Sequence, residues 1–282
     1  TLPKQTDENS RVHTTFNLTI APTGRLSSAD PNLQNIPVRT DLGRRIRTAF
    51  VADKGMVFVS ADYSQFEIRI AAALSGDDGM IEAFNRDNDI HTETAALVYD
   101  IPSEKVTKAQ RYAAKAVNFG IMYGQGPHGL SAGTGIPYAE AREFIRKYFE
   151  IRPKLKNYIE SQREKAQKDG YVETLLGRRR PTPDVHSSNF VVREAAYRAA
   201  VNMPLQGTAA DLMKLAMIEV SQKLPKRKSG EKKCENHRSR AQRHFGAKNM
   251  IFGIDKIGGK NREDKRPTKI IDKKSEADRN KT

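Results

Sequence analysis

RYAAKAVNFGIMYG, residues 111–124, is the stretch whose reading decides the fold. It sets Arg111, Lys115, Phe119 and Tyr123 at successive four-residue steps. On a helix that spacing gathers two cations and two aromatic rings along one drifting face. Such a face suits a phosphate chain and a flat base. The same spacing also describes an amphipathic helix with a solvated basic edge and two core aromatics, so the neighbouring stretches have to decide.

At 282 residues the chain is long enough to bury a sizeable core, as one large domain or two small ones. The net charge of +15 and pI of about 9.8 favour an acidic partner, nucleic acid first and an anionic membrane surface second. Most of that excess sits at one end. Residues 1–224 carry 30 Lys and Arg against 26 Asp and Glu, a net +4; residues 225–282 carry 19 against 8, a net +11. The bulk charge therefore says little about the body of the chain. A single cysteine, Cys234, rules out an internal disulfide and a cysteine-rich zinc site, and fits a reducing cytoplasm. No transmembrane run or signal-peptide pattern is present, and the opening on Thr1 reads as the start of a fragment.

Along the chain, an alternating run at 12–20 leads into a turn at 21–25, and the Pro- and amide-rich stretch 30–37 reads as an irregular loop. The apolar run at 56–61 reads as a buried strand ending on Asp62, with a helix over 65–74 behind it. The pattern from 80 to 123 is helical with a break near Pro102, after which Ser103 begins the next helix. Residues 124–129 match G-x-G-x-x-G but follow a helix and contain a proline, so they read as a turn. Pro137 opens a helix expected to run past Pro153 to Lys168, and 170–176 reads as a strand entering the basic turn 177–181. A further helix spans 190–222 with a break at 202–204. Beyond Leu224, Lys and Arg dominate with little apolar periodicity, so that tail is expected to be disordered.

An aspartate ending a buried strand, beside a backbone carbonyl, suits Mg²⁺, which takes oxygen donors and keeps several waters. Asp62 and Tyr63 occupy those places, although Asp62 could equally cap the following helix. Joined to the Arg111/Lys115 face, they would supply both halves of a phosphoryl-transfer site: cations on the phosphates and a metal against the developing charge.

Six motifs carry a specific resemblance. DYSQFEIR (62–69) resembles the A motif of the family A, or polymerase I type, DNA polymerases, and RYAAKAVNFGIMYG resembles their B motif on the fingers helix. TGRLSSADPNLQNIPVRT (23–40), DIHTETA (89–95), LLGRRRPTPD (175–184) and NFVVREAAYRAAVNMPLQGTAADLMK (189–214) are similar to the same family, in its order. The resemblance covers about 12–224. It implies an α+β right hand with a palm built on an antiparallel sheet, here incomplete, and mainly helical fingers; the thumb would precede Thr1. Residues 1–110 would form the first part of the palm, 111–185 the fingers and 186–224 the return to the palm, with 225–282 a basic tail.

The resemblance further implies Asp62 as ligand of two catalytic Mg²⁺ ions, with the Tyr63 carbonyl on one of them. Arg111 and Lys115 would hold the triphosphate, Phe119 would pack on sugar and base, and Tyr123 would occupy the templating position until the helix closes. Gln65 would join the nucleotide site, and Glu67 would exclude a ribose 2′-hydroxyl, or else be a surface residue paired with a neighbouring Arg. His91 would reach the phosphates, or else be a satisfied structural histidine. Arg25, Asn32, Gln34, Asn202 and Gln206 would contact primer-template DNA, largely in the minor groove, where shared acceptors allow reading without sequence; turn and helix-cap chemistry is their other reading. The partners implied are primer-template DNA and deoxynucleoside triphosphates, with no membrane, for a monomer in a bacterial-type cytoplasm associated with the nucleoid. Glu67 and Phe119 disfavour the related single-subunit RNA polymerases.

One departure stands against these matches. Soon after residue 218 the family should present a strand, a His-Asp-Glu turn and another strand bearing the second metal aspartate. No His-Asp-Glu occurs anywhere in the chain. Asp255, behind the apolar run 250–254, is the one strand-then-aspartate in the tail, in a different place and context. Two metals need carboxylates from two places. The sharp switch into basic sequence resembles a frameshift or misread coding boundary, and the expectation is a chain with little or no turnover, either an impaired polymerase or a non-catalytic nucleotide- and DNA-binding remnant.

Overall fold

The computed structural model describes residues 2–37, 40–53 and 60–223. The expected strand at 56–61, except its last two residues, lies outside them, as does the tail with Cys234 and Asp255. The chain opens on a hairpin, β1 (Thr15–Asn17) antiparallel to β2 (Ser27–Ala29) with Phe16 opposite Ser28. Helix α1 (Asp41–Thr48) follows, capped by the Thr40 hydroxyl, which accepts from the Gly43 amide at 3.1 Å.

The body is helical: α2 (Phe66–Ser75), α3 (Asp78–Asn85), α4 (Ile90–Tyr99), α5 (Lys108–Met122), α6 (Pro127–Thr134), α7 (Tyr138–Ile151) and α8 (Pro153–Asp169). A second hairpin, β3 (Tyr171–Glu173) antiparallel to β4 (Arg179–Pro181), leads to the long α9 (Phe190–Lys223). The starts are written in the sequence. Asp77 accepts from the Met80 amide at 3.0 Å and Asp89 from the His91 amide at 3.2 Å, while Thr107 and Gln110 form a reciprocal capping box at the head of α5.

Helix α2 lies at the centre, packed on α3, α5, α8 and α9. Its Ile68, Ile70, Ala71 and Ala72 are buried with Val117 and Ile121 of α5 and Leu155 of α8. Burying each isoleucine is worth about 2 kcal/mol in area terms. A smaller cluster of Val172, Val185, Tyr197, Ala200 and Met203 joins the second hairpin to α9. The polar tie is Arg152 with Asp77, 3.3 Å apart with side chains only 3% and 4% exposed, which fixes the start of α8 against the start of α3.

Several local expectations change. The stretch from 80 to Pro102 is not one helix: it breaks at 86–89, where Asp89 caps α4, and 179–181 of the expected basic turn form β4. The helix from Pro137 does not run through to Lys168: Arg152, at φ −129 and ψ 56, interrupts it, and Pro153 opens α8 at the position where a missing amide costs least. Helix α9 does not break at 202–204. Pro204 removes a donor, but Ala200, Val201, Met203 and Leu205 are all buried around it, and that packing carries the helix through. The helix after Pro102 starts at Thr107, with a 3₁₀ turn at Ser103–Lys105 before it. Gly126 lies beyond a simple turn, at the head of α6, whose first residue is Pro127.

Candidate nucleotide and nucleic-acid site

The turn carrying Asp62 is held from three sides. Gln65, not Asp62, stands at the head of α2, at φ 53, and its carbonyl accepts from the Ile68 and Arg69 amides at 3.0 and 3.1 Å. The Tyr63 and Phe66 rings stack at 4.2 Å, and Arg69 donates from Nε to the Ser64 carbonyl at 3.1 Å while its guanidinium lies over the Phe84 ring. Asp62 is exposed and is not the N-cap of α2. Burial and the charge of Glu219, from the far end of α9, raise the pKa of the Tyr63 phenol.

Glu67, one residue into α2, joins two distant pieces. Its carboxylate accepts from the Tyr123 hydroxyl at the end of α5 and pairs with Arg25 from the loop before β2. Burial, the Glu67 hydrogen bond and the Glu67 charge push the Tyr123 phenol up to about 12, so it remains a donor at neutral pH. The head of α2 and the C-terminal end of α5 are thereby joined, and Glu67 has the arginine partner that its other reading foresaw.

Along α5 the expected face is present. Arg111 and Lys115 are exposed, Phe119 is half-buried against the core, and Tyr123 closes the helix. Arg111 donates from Nε to Asp89 at 2.6 Å; against the opposing effect of burial, that bond, with Thr92 and the His91 amide, holds the Asp89 carboxyl below the usual range. Among the described residues no hydrogen bond or ion pair engages Lys115. His91 is 2% exposed, its Nδ1 is 3.0 Å from Asn118 Nδ2, and its ring lies 5.7 Å from Phe119. Burial first, with Arg111 and Lys115 adding to it and Asp89 opposing, lowers its pKa to about 4.

The residues expected on DNA fall in two groups. Asn32 accepts from the Gln34 amide at 3.0 Å and Gln34 donates to the Leu26 carbonyl at 3.3 Å, so both also serve the turn they sit in. Asn202 and Gln206 are half-buried on α9, and Asn202 Oδ1 is buried with no hydrogen-bond partner among the described residues. Such an acceptor costs about 1–3 kcal/mol unless something reaches it.

Sequence reasoning missed three residues here. Arg198 continues the Asn202/Gln206 face at the same four-residue step, which is the signal that could have found it. Its stem lies against Gly124, where an added Cβ would meet Arg198 Cγ at 2.4 Å and where φ is +67, so only glycine fits. Arg178 donates from Nε and Nη2 to Asp211 at 2.9 and 2.6 Å, Thr174 donates to the same carboxylate at 2.8 Å, and Gly24, at φ +74, lies directly on the Arg178 guanidinium. That pair supports the loop presenting Arg25; it spans 33 residues and leaves no local trace in sequence.

For a divalent metal the expected ligands are Asp62 and the Tyr63 carbonyl. Among the described residues no group of three or more His, Cys, Asp or Glu converges. One carboxylate and one carbonyl fit a single Mg²⁺ that keeps its waters, and fall short of a two-ion site.

The model of DNA polymerase family A matches residues 1–238. The chain belongs to that family. It is 55% identical over 214 residues to the thermostable DNA polymerase I of Thermus aquaticus, covering 76% of this chain and 26% of that protein. DNA polymerase I of Pseudomonas aeruginosa is 50% identical over 220 residues, covering 78% and 24%. This family A chain thus spans about a quarter of the length of the curated relatives it matches. Among solved structures, the POL domain of Pol1 from M. smegmatis in complex with DNA primer-template and dNTP is similar with a TM-score of 0.74 and 49% identity, over 78% of this chain and 39% of that one. The mostly helical body with small antiparallel sheets matches a fragment of such a polymerase domain. Among the described residues no helix is long and apolar enough to cross a membrane.

Proposed function

We propose that this chain is the nucleotide-gripping palm and fingers portion of a template-directed DNA polymerase, one that extends a primer 3′ end with deoxynucleotides. The observation that carries it is the Tyr123–Glu67–Arg25 junction, which ties the C-terminal end of α5 to the head of α2, next to the Asp62 turn. The neighbour solved with primer-template and dNTP supports the same substrates for this chain. Arg111 and Lys115 bind the triphosphate, and Phe119 carries the sugar and base. Glu67, to which the Tyr123 hydroxyl donates, excludes a ribose 2′-hydroxyl, and Gln65 joins the nucleotide site. Arg25, Asn32, Gln34, Asn202 and Gln206 line the primer-template path. The return of 186–224 to the first part of the palm is supported by the packing of α2 on α9; the boundary at 110/111 rests on the resemblance, since it falls within α5 (Lys108–Met122) and α4 and α2 pack across it.

Asp62 and the Tyr63 carbonyl would hold Mg²⁺, which would neutralise charge on the phosphates when bound. With one carboxylate on the described side of that site, a second reading is favoured for the chain by itself: it binds nucleotide and DNA and turns over poorly. Primer extension and dATP binding, measured on wild type and Asp62→Ala, separate the two. We expect binding with no more than trace extension. Incorporation abolished by Asp62→Ala would establish catalysis, extension surviving it would remove Asp62 from the mechanism, and absence of dATP binding would overturn both readings.

A further inference from the structure

Asp89 divides its two carboxylate oxygens between two helices. It is the N-cap of α4, where Oδ1 accepts from the His91 amide at 3.2 Å. Oδ2 accepts from the Thr92 hydroxyl and from Arg111 Nε on α5, each at 2.6 Å. The His91 and Thr92 bonds are local, and they fix the carboxylate on the head of a helix whose Ile90, Ala95 and Val98 are buried in the core. The Arg111 bond reaches 22 residues along the chain to a side chain that is 45% exposed. Without a tether, a side chain so exposed would sample many rotamers. A guanidinium offers five N–H donors in a rigid fork. Asp89 takes the one on Nε, and among the described residues neither Nη1 nor Nη2 has a hydrogen bond or ion pair. The Nη1/Nη2 edge is left whole, and that edge matches two oxygens of a phosphate group.

We propose that Asp89 is a positioning residue: by holding Arg111 at Nε, it keeps the Nη1/Nη2 edge of that guanidinium set to receive a phosphate group on the α5 face. The proposal rests on the nucleotide reading for the identity of the anion, and on the hydrogen bonds of α4 and α5 for the orientation. Its sign is unusual. A carboxylate beside a site for a polyanion repels the ligand, so Asp89 helps binding only through what it does to Arg111. An amide cannot take its place. Asparagine has one side-chain oxygen, and its NH₂ group would face either the His91 amide or Arg111 Nε, donor against donor.

Binding of dATP and of inorganic tripolyphosphate to the full chain tests this in wild type, Asp89→Asn, Arg111→Ala and the double variant. Loss of a negative charge by itself would tighten both ligands. Asp89→Asn should instead weaken both about threefold, a part of what one hydrogen bond to a charged group is worth, and should cause no weakening in the Arg111→Ala background. Unchanged or tighter binding in Asp89→Asn refutes the proposal. An equal loss in both backgrounds also refutes it, because a merely loosened α4 would act without Arg111. On the same samples ¹H–¹⁵N spectra follow the Arg111 Nε–H signal, identified by its loss in Arg111→Ala. It should be protected from solvent exchange in wild type and exchange rapidly in Asp89→Asn; equal exchange in the two would remove Asp89 as the holder. Wild type that binds neither ligand overturns the nucleotide reading and the phosphate half of the proposal with it, while the Nε–H signal still decides whether Asp89 holds Arg111.

Discussion

Asp211→Ala should destabilise the chain by about 3 kcal/mol. The carboxylate is 8% exposed and accepts two bonds from Arg178 and one from the buried Thr174 hydroxyl. Bonds to a charged group are worth about 1.5–3 kcal/mol. The Arg178 side chain is 39% exposed and recovers part of that from water. Thr174 cannot, and its orphaned hydroxyl costs about 1 kcal/mol more. For a chain of this size about 3 kcal/mol lowers the melting midpoint by about 6–12 °C, followed by circular dichroism on heating. Asp211→Asn, which keeps an acceptor for Thr174, should lose about half as much. A shift under about 2 °C in Asp211→Ala would refute the network as the support of the Gly24–Arg25 loop.

Asp77→Asn should cost about 3–5 kcal/mol, because it leaves the buried Arg152 charge without its counterion; urea unfolding of Asp77→Asn, Arg152→Leu and the double variant should show the pair strongly coupled. Glu67→Gln should bring the Tyr123 phenol down from about 12 toward 10, read by ultraviolet titration. Because that phenol is raised in the fold, its contribution to stability holds below pH 10 and is lost as pH rises through about 12. For His91 the depression to about 4 means that the unfolded chain takes up a proton near pH 6.5 while the folded chain does not. Stability should therefore fall as pH drops from 6.5 toward 4, and His91→Gln should melt with a weaker dependence across that window.

Local chemistry explains what could be read in advance. The α5 face follows from four-residue spacing, which operates within a few residues, whereas the Asp89 cap that starts α4 inside a stretch expected to be one helix was not read. Pro204 and Pro153 depart from expectation in opposite directions. Burial of its neighbours carries the helix through the first, and the Arg152 conformation breaks it before the second. Glu67 could be placed as a site residue, yet its arginine partner is 42 residues away and its tyrosine partner 56. Arg178–Asp211 and Arg152–Asp77 belong to the same class: pairs made by the fold across 33 and 75 residues, with nothing in the intervening sequence to announce them.

Equilibrium binding of dATP to wild type, Lys115→Ala and Arg111→Ala tests the grip of the α5 face most directly. Lys115 is unengaged among the described residues, so its loss should weaken binding about tenfold. Arg111 already spends one donor on Asp89, and its loss should weaken binding by less. Equal affinity in all three proteins would contradict a triphosphate site on this helix.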